Sequence, residues 1–161
     1  MSPGHPPQRQ TARPMVTRAP SAVRPARTDD AHAIARLAGQ LGYPTSEGEL
    51  AARLPGVAAN RDAVVLVVSA PNGVHGWIHV ELKRSLLAPL TAQVMGLVVD
   101  ERRRNEGIGA TLLEAGEAWA RERGCRAMLV GTRVTRERAH RFYRREGYEL
   151  LKTSHFFEKA L

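Results

Sequence analysis

The sequence predicts one α/β domain built on a mixed, mostly antiparallel, twisted sheet of about six to seven strands, flanked by about four helices. Three observations carry this reading. The β-branched stretch 64–68 meets an alternating stretch, 74–82, across Pro71-Asn72-Gly73, a hairpin signal. The apolar run Val94-Met95-Gly96-Leu97-Val98-Val99 feeds a basic, glycine-containing turn that opens a helix. A further strand-like run, Ala127-Met128-Leu129-Val130, is followed by a short amphipathic helix.

In chain order, residues 22–26 form a short strand, and 29–40 an amphipathic helix with Ala33, Ile34, Leu37 and Leu41 on one side. Leu41-Gly42-Tyr43-Pro44-Thr45 breaks that helix, and Ser46 caps a second, short one through Leu54. Residues 64–68 read as a buried strand. In 74–82, Trp77, His79 and Glu81 alternate with Ile78, Val80 and Leu82, so the two sets face opposite ways. A loop at 83–90 leads to a strand over 92–99. Helix 107–123 places Ile108, Leu112, Ala115 and Trp119 on one stripe and stops at Gly124. A strand at 126–131 precedes helix 136–146, with Thr135 as N-cap and Gly147 just past its end. Two terminal strands are expected near 148–151 and 154–159.

The length of 161 residues suits one domain with a sizeable core. No apolar stretch approaches the ~18 residues of a membrane span, and no secretory leader is evident. The single cysteine, Cys125, excludes an internal disulfide and a cysteine-based zinc site, which suits a reducing cytoplasm. It is expected to pack where helix 107–123 turns into the next strand. The net charge of +8 is uneven. Residues 1–28 hold Arg9, Arg13, Arg18, Arg24 and Arg27 without one acid, and six of the ten prolines. Residues 1–20 read as a disordered basic tail, with Met15 a second candidate start, and 21–161 as the domain. The tail lacks interleaved aromatics and dense basic clusters, so nucleic acid is not an expected partner.

The segment from Val99 to Leu113 carries the most chemistry. A strand leading through glycines into a helix N-terminus gathers unpaired backbone N–H groups in front of the positive end of the helix dipole. That arrangement takes an anion, most simply a phosphate. Ala110-Thr111 stands where a nucleoside-triphosphate loop needs Lys-Ser/Thr, and Leu112 where a dinucleotide fingerprint needs its third glycine. What remains is Arg104-x-x-Gly107-x-Gly109. Further on stands Ala139-x-x-Phe142-Tyr143-x-x-x-Gly147-Tyr148.

With these two segments in this order, the chain resembles the GNAT superfamily of acyl-CoA-dependent N-acetyltransferases over about residues 21–161. The resemblance implies acetyl-CoA as cosubstrate. Its diphosphate would be wrapped by Arg104, Asn105, Glu106, Gly107, Ile108, Gly109 and Ala110, and main chain at Leu97, Val98 and Val99 would hold the acetyl carbonyl and pantetheine arm. It makes Tyr143 the hydroxyl beside the sulfur. Arg136 occupies the place of a usual pantetheine-contacting asparagine. The strand glutamate that serves some relatives as base falls, eleven residues before Arg104, on Gln93, which takes no proton. Glu81 and His79 on the neighbouring strand are the alternatives.

The resemblance places the acceptor against Leu41, Gly42 and Tyr43 (within 41–45), Trp77, His79 and the turn at 152–156. His140 and His155 lack metal-ligand spacing, so no metal is expected. The implied activity is acetyl transfer from acetyl-CoA to a primary amine of a small molecule or protein. Two alternatives stand beside it: a catalytically weak CoA-binding regulatory domain and an aminoglycoside-type antibiotic acetyltransferase. A homodimer stays open.

Overall fold

In the computed structural model residues 21–161 are described; the expected basic tail, 1–20, lies outside the described residues. The strands are β1 (Ala22–Pro25), β2 (Ala63–Ala70), β3 (Gly73–Lys83), β4 (Thr91–Val99) and β5 (Met128–Val130). The helices are α1 (Ala31–Leu41), α2 (Glu47–Ala59), α3 (Ile108–Glu122) and α4 (Glu137–Arg145). The sheet runs in order β1-β2-β3-β4-β5. Its first four strands pair antiparallel, and β4 pairs parallel with β5 at Ala92–Met128, Gln93–Leu129 and Val94–Val130. No helix among the described residues is long and apolar enough to cross a membrane.

Side-chain alternation along the strands divides the core in two. Leu66, Val68, Ile78, Val80, Ala92 and Val94 pack against Ile108, Leu112, Leu113 and Ala120 of α3. Val65, Val67, Val74 and Val98 meet Ile34 and Leu37 of α1 and Leu54 of α2 on the opposite face. Val94 and Val98 lie four residues apart, which in a regular strand means one face, yet they serve different cores. The reason is a bulge: His79 pairs with Gly96 and Val80 with Val94, leaving Met95 as an extra, 53% exposed residue.

Several expectations need correction. Among the described residues the sheet has five strands rather than six or seven, because the chain after Tyr148 forms no regular element and is exposed throughout. Apolar alternation marks a stretch fit for a strand, but a strand forms only where another edge takes up its backbone groups. Helix α2 passes Pro55 and ends at Ala59, since Val57 packs against the α1–α2 core. Ser46 does cap it: the Glu49 N–H donates to Ser46 Oγ and the Ser46 N–H to the Glu49 carboxylate. A 3-10 turn, Thr28–Asp30, precedes α1, with the Asp30 carboxylate held by Arg24 at 2.7 and 2.9 Å and by the Arg27 N–H at 2.8 Å. The N-cap of α4 is Arg136, not Thr135. Gly147 (φ +88°) closes α4, with Tyr148 N–H donating to Tyr143 C=O and Gly147 N–H to Arg144 C=O.

Candidate active site

The ladder between β4 and β5 ends at Val94–Val130. Beyond it, among the described residues, the β4 edge that faces away from β3 has no strand beside it from Met95 onward. In an antiparallel strand alternate backbone groups point to each side, so this stretch offers N–H and C=O groups to the gap. A cavity of about 440 Å³ opens there. Its walls are Val94, Met95, Gly96 and Leu97 of β4; Val130, Gly131, Thr132 and Arg133; and Arg136, Ala139 and Tyr143 at α4. Opposite stand Leu41, Tyr43 and Thr45 after α1, Leu50, Arg53, Leu54 and Val57 of α2, and Trp77 and His79 of β3.

Local sequence explains how these side chains converge. Trp77 and His79 project from alternate positions of β3 onto the α1–α2 face. The Trp77 ring lies over Gly96, where an added β-carbon would sit 2.7 Å from Cη2. Trp77 Nε1 is buried without a hydrogen-bond partner among the described residues, a cost of about 1–3 kcal/mol. His79 Nε2 lies 3.1 Å from Glu81 Oε1, off the hydrogen-bonding direction, and also lacks a hydrogen-bond partner. Burial pushes the His79 imidazole below its ordinary pKa, and the Glu81 carboxylate offsets this only in part. The ring is therefore neutral at pH 7.

The turn after β4 leads into α3. Asp100, at its start, accepts from Arg36 at 2.7 Å and from the Arg102 N–H at 3.1 Å, which ties the strand end to α1. Burial by itself would raise the Asp100 carboxyl; Arg36 and the Arg102 amide hold it below its usual value. Asn105 (φ +65°) and Gly107 (φ +79°) both take the left-handed conformation. Gly107 caps α3, and the first α-helical bond there is Thr111 N–H to Gly107 C=O at 3.0 Å. The N–H groups of Ile108, Gly109 and Ala110 thus have no intrahelical acceptor. The two glycines serve different ends. An added β-carbon on Gly107 would meet open space, whereas one on Gly109 would meet the Phe142 ring at 3.2 Å. Gly109 admits α4, and Gly107 bends the chain.

From α4, Tyr143 reaches the cavity beside Phe142, which packs on the α3 core. The Tyr143 ring is wedged edge-on between Phe142 (5.1 Å between centroids) and Tyr148 (5.7 Å). Burial raises its phenol to about 12, with Arg136 pulling the other way. Arg136 Nη2 donates to the Leu41 carbonyl at 2.6 Å, at the negative end of the α1 dipole.

The site thus joins an open strand edge and a tyrosine in one cavity, with an amide-bearing helix start at the end of the same strand. Residues 31–148 match the acetyltransferase (GNAT) family. The chain belongs to that family. An aminoglycoside N(6')-acetyltransferase type 1 from Stenotrophomonas maltophilia is 29% identical over 152 residues, 91% of this chain and 97% of that protein. The aminoalkylphosphonate N-acetyltransferase of Salmonella typhimurium is 44% identical over 70 residues, 43% of this chain and 44% of that protein. Among solved structures, the aminoglycoside N-acetyltransferase AAC(6')-Iy in complex with CoA superposes with a TM-score of 0.80 at 16% identity, covering 91% of this chain and all of that one (100%). This GNAT enzyme is an N-acetyltransferase, with acetyl-CoA as cosubstrate and an amine as acceptor.

The residues singled out from sequence fall into three places. Leu97, Leu41, Tyr43, Trp77, His79, Arg136 and Tyr143 line the cavity. Arg104, Asn105, Glu106, Gly107, Ile108, Gly109 and Ala110 form the turn and first turn of α3, outside the cavity lining; Glu106 pairs with Arg103 at 2.6 Å. The others stand elsewhere. Val98 is buried in the α1–α2 core, and Val99 packs against the α3 core. Gln93 sits in the ladder between Glu81 and Leu129, and Glu81 lies 3.1 Å from His79; neither belongs to the cavity lining. Gly42 (φ +90°) turns the chain after α1; a β-carbon there would lie in ordinary contact with Arg136, at 3.5 Å. The segment 152–156 contributes nothing to the lining.

Sequence reading missed Met95, Arg53 and Arg133. Arg53 carried a faint signal, lying on α2 near the lining residues Leu50, Leu54 and Val57. Cys125 packs against the α3 core beside the end of α3, and burial raises its thiol pKa, which suits packing and not nucleophilic attack. Among the described residues no group of three His, Cys, Asp or Glu side chains is placed to hold a metal.

Proposed function

We propose that this enzyme acetylates the primary amine of a small molecule inside the cavity between β4 and β5, with His79 as proton acceptor and Tyr143 as hydrogen-bond donor to the departing sulfur. The observation that carries this reading is the open β4 edge, Met95–Leu97, lying in one cavity with both side chains. Backbone amides there take the oxyanion as the amine attacks the thioester carbonyl. The C–N bond forms, the C–S bond breaks, and the amine proton leaves through the neutral His79 imidazole, backed by Glu81.

Magnitudes limit what Tyr143 does. A thiol of pKa ~8.5 is a stronger acid than a phenol at about 12. Full proton transfer from Tyr143 to the thiolate runs uphill by more than three decades, so Tyr143 orients and stabilises the sulfur anion. The diphosphate of the cosubstrate rests on the amides of Ile108, Gly109 and Ala110, with Arg104 beside it.

The decisive comparison is Tyr143→Phe beside His79→Gln. Both should keep acetyl-CoA-induced thermal stabilisation while thiol release slows by about tenfold or more. Unchanged turnover in both removes these roles. Wild-type protein that is stabilised by CoA, yet releases no thiol over a broad amine panel, would be a CoA-binding regulatory domain.

A second copy of this chain is the partner that the region after α4 favours. Leu150, Leu151, Phe156, Phe157 and Leu161 are 74% exposed or more, and the outer edge of β5 is unpaired among the described residues. Such a segment loses about 25 cal/mol per Å² by staying in water, and a bare sheet edge invites a strand. Light scattering of the full chain should give a dimer, and Phe156→Ser with Phe157→Ser a monomer. A monomeric wild type would overturn this.

A further inference from the structure

We infer that the acceptor carries an anionic group near its amine, a carboxylate or a phosphonate-type group, and that Arg53 and Arg133 receive it. This rests on the acetyl-transfer reading above and names its substrate class.

Among the described residues the cavity lining contains three arginines, Arg53, Arg133 and Arg136, and no aspartate or glutamate. Arg136 is committed to the Leu41 carbonyl at 2.6 Å. Among the described residues Arg53 has only a distant partner on its own helix, Glu49 at 3.6 Å, with both side chains more than half exposed, a pair worth little. Arg133 hangs over the Tyr43 ring, 5.7 Å from its centroid. Glu81 lies 3.1 Å from His79 and Glu49 3.6 Å from Arg53, and neither carboxylate belongs to the lining.

A polycationic acceptor would enter this field against like charges and find no carboxylate to pair with. The repulsion works against it at every added ammonium. An acceptor with one amine and one anion finds the reverse: guanidinium groups form charge-assisted, bidentate hydrogen bonds to planar or tetrahedral oxyanions. The same anchor would aim the amine toward the neutral His79.

These arginines are separate from the diphosphate seat. None of residues 104–110 belongs to the cavity lining, and neither Arg53 nor Arg133 lies on the turn into α3. The molecule thus presents two cationic regions, one for the donor and one left for the acceptor.

The test uses the full chain and acceptors of similar length: 2-aminoethylphosphonate, β-alanine, ethanolamine and 1,3-diaminopropane, with kanamycin as the polycation. Thiol release should favour the two anionic amines over the neutral and cationic ones by about tenfold or more in kcat/KM. The phosphonate and carboxylate arms tell which oxyanion fits better. Arg53→Gln and Arg133→Gln, both at exposed positions, should each raise KM for the anionic amines, and the double variant should cut the anionic-to-neutral preference by about tenfold. Preference for the diamine or kanamycin overturns the inference, as does a preference untouched in the double variant. Should no amine release thiol, the acetyl-transfer reading fails. Calorimetry of 2-aminoethylphosphonate against CoA-loaded wild type and double variant then decides the anion site alone: binding lost in the variant upholds it, equal binding or none in both removes it.

Discussion

The ring of Trp77 lies on Gly96 so closely that a β-carbon there would fall 2.7 and 2.8 Å from two ring atoms. This relationship sets one wall of the cavity, since both residues line it, and it follows from the bulge that puts Gly96 opposite His79.

Gly96→Ala forces the Trp77 ring off its rotamer or the strands apart. Overpacking of this kind costs about 1–3 kcal/mol, read as a lower urea midpoint. Acetyl transfer should fall alongside. A stability loss under about 0.5 kcal/mol would show that the ring moves freely and is no fixed wall.

Stability should fall on acidification through the histidine range. Burial depresses both His75 and His79, with Arg103 adding to the effect at His75 and Glu81 opposing it at His79. The folded protein therefore binds fewer protons than the unfolded chain below the unfolded pKa of ~6.5, so this contribution is present above that pH and is lost as pH drops toward the folded values. Urea midpoints at about pH 7.5 and pH 5.5 measure it. A midpoint that stays level or rises contradicts the assignment.

Asp100→Ala removes the anchor that binds the end of β4 to α1 through Arg36. The Asp100 side chain is 9% exposed and that of Arg36 43%, so the loss should be about 2 kcal/mol, below that of a fully buried pair. CoA affinity should drop too, because the same residue starts the turn into α3. A stability change without any change in CoA binding would separate the anchor from the turn.

Much of this was legible from residue order. Alternation in β3 placed Trp77 and His79 on one face, and Gly107 marked the start of α3 through a conformation few residues tolerate. Gly147 ended α4 for the same reason. The reach of the helix-start motif was clear, but not why Gly109 is a glycine, since Phe142 lies 33 positions on. The extra residue at Met95 was invisible because bulges leave no periodic signature; they show only when two strands are laid side by side. Arg136 meeting Leu41 across 95 positions, and Arg53 facing the same cavity as Arg133, are products of folding that no local pattern encodes. The terminal strands failed for the opposite reason: the pattern is there, but no edge among the described residues takes it up.

Everything proposed for the donor side rests on the free amides at the start of α3 receiving the diphosphate of CoA. Calorimetric titration of CoA into wild type and Ala110→Glu tests it most directly. A carboxylate in the first helical turn favours the folded helix by about 0.3–1 kcal/mol while repelling a phosphate. The variant should melt no lower than wild type and bind CoA at least about thirtyfold more weakly. Equal affinity in the two proteins would contradict it.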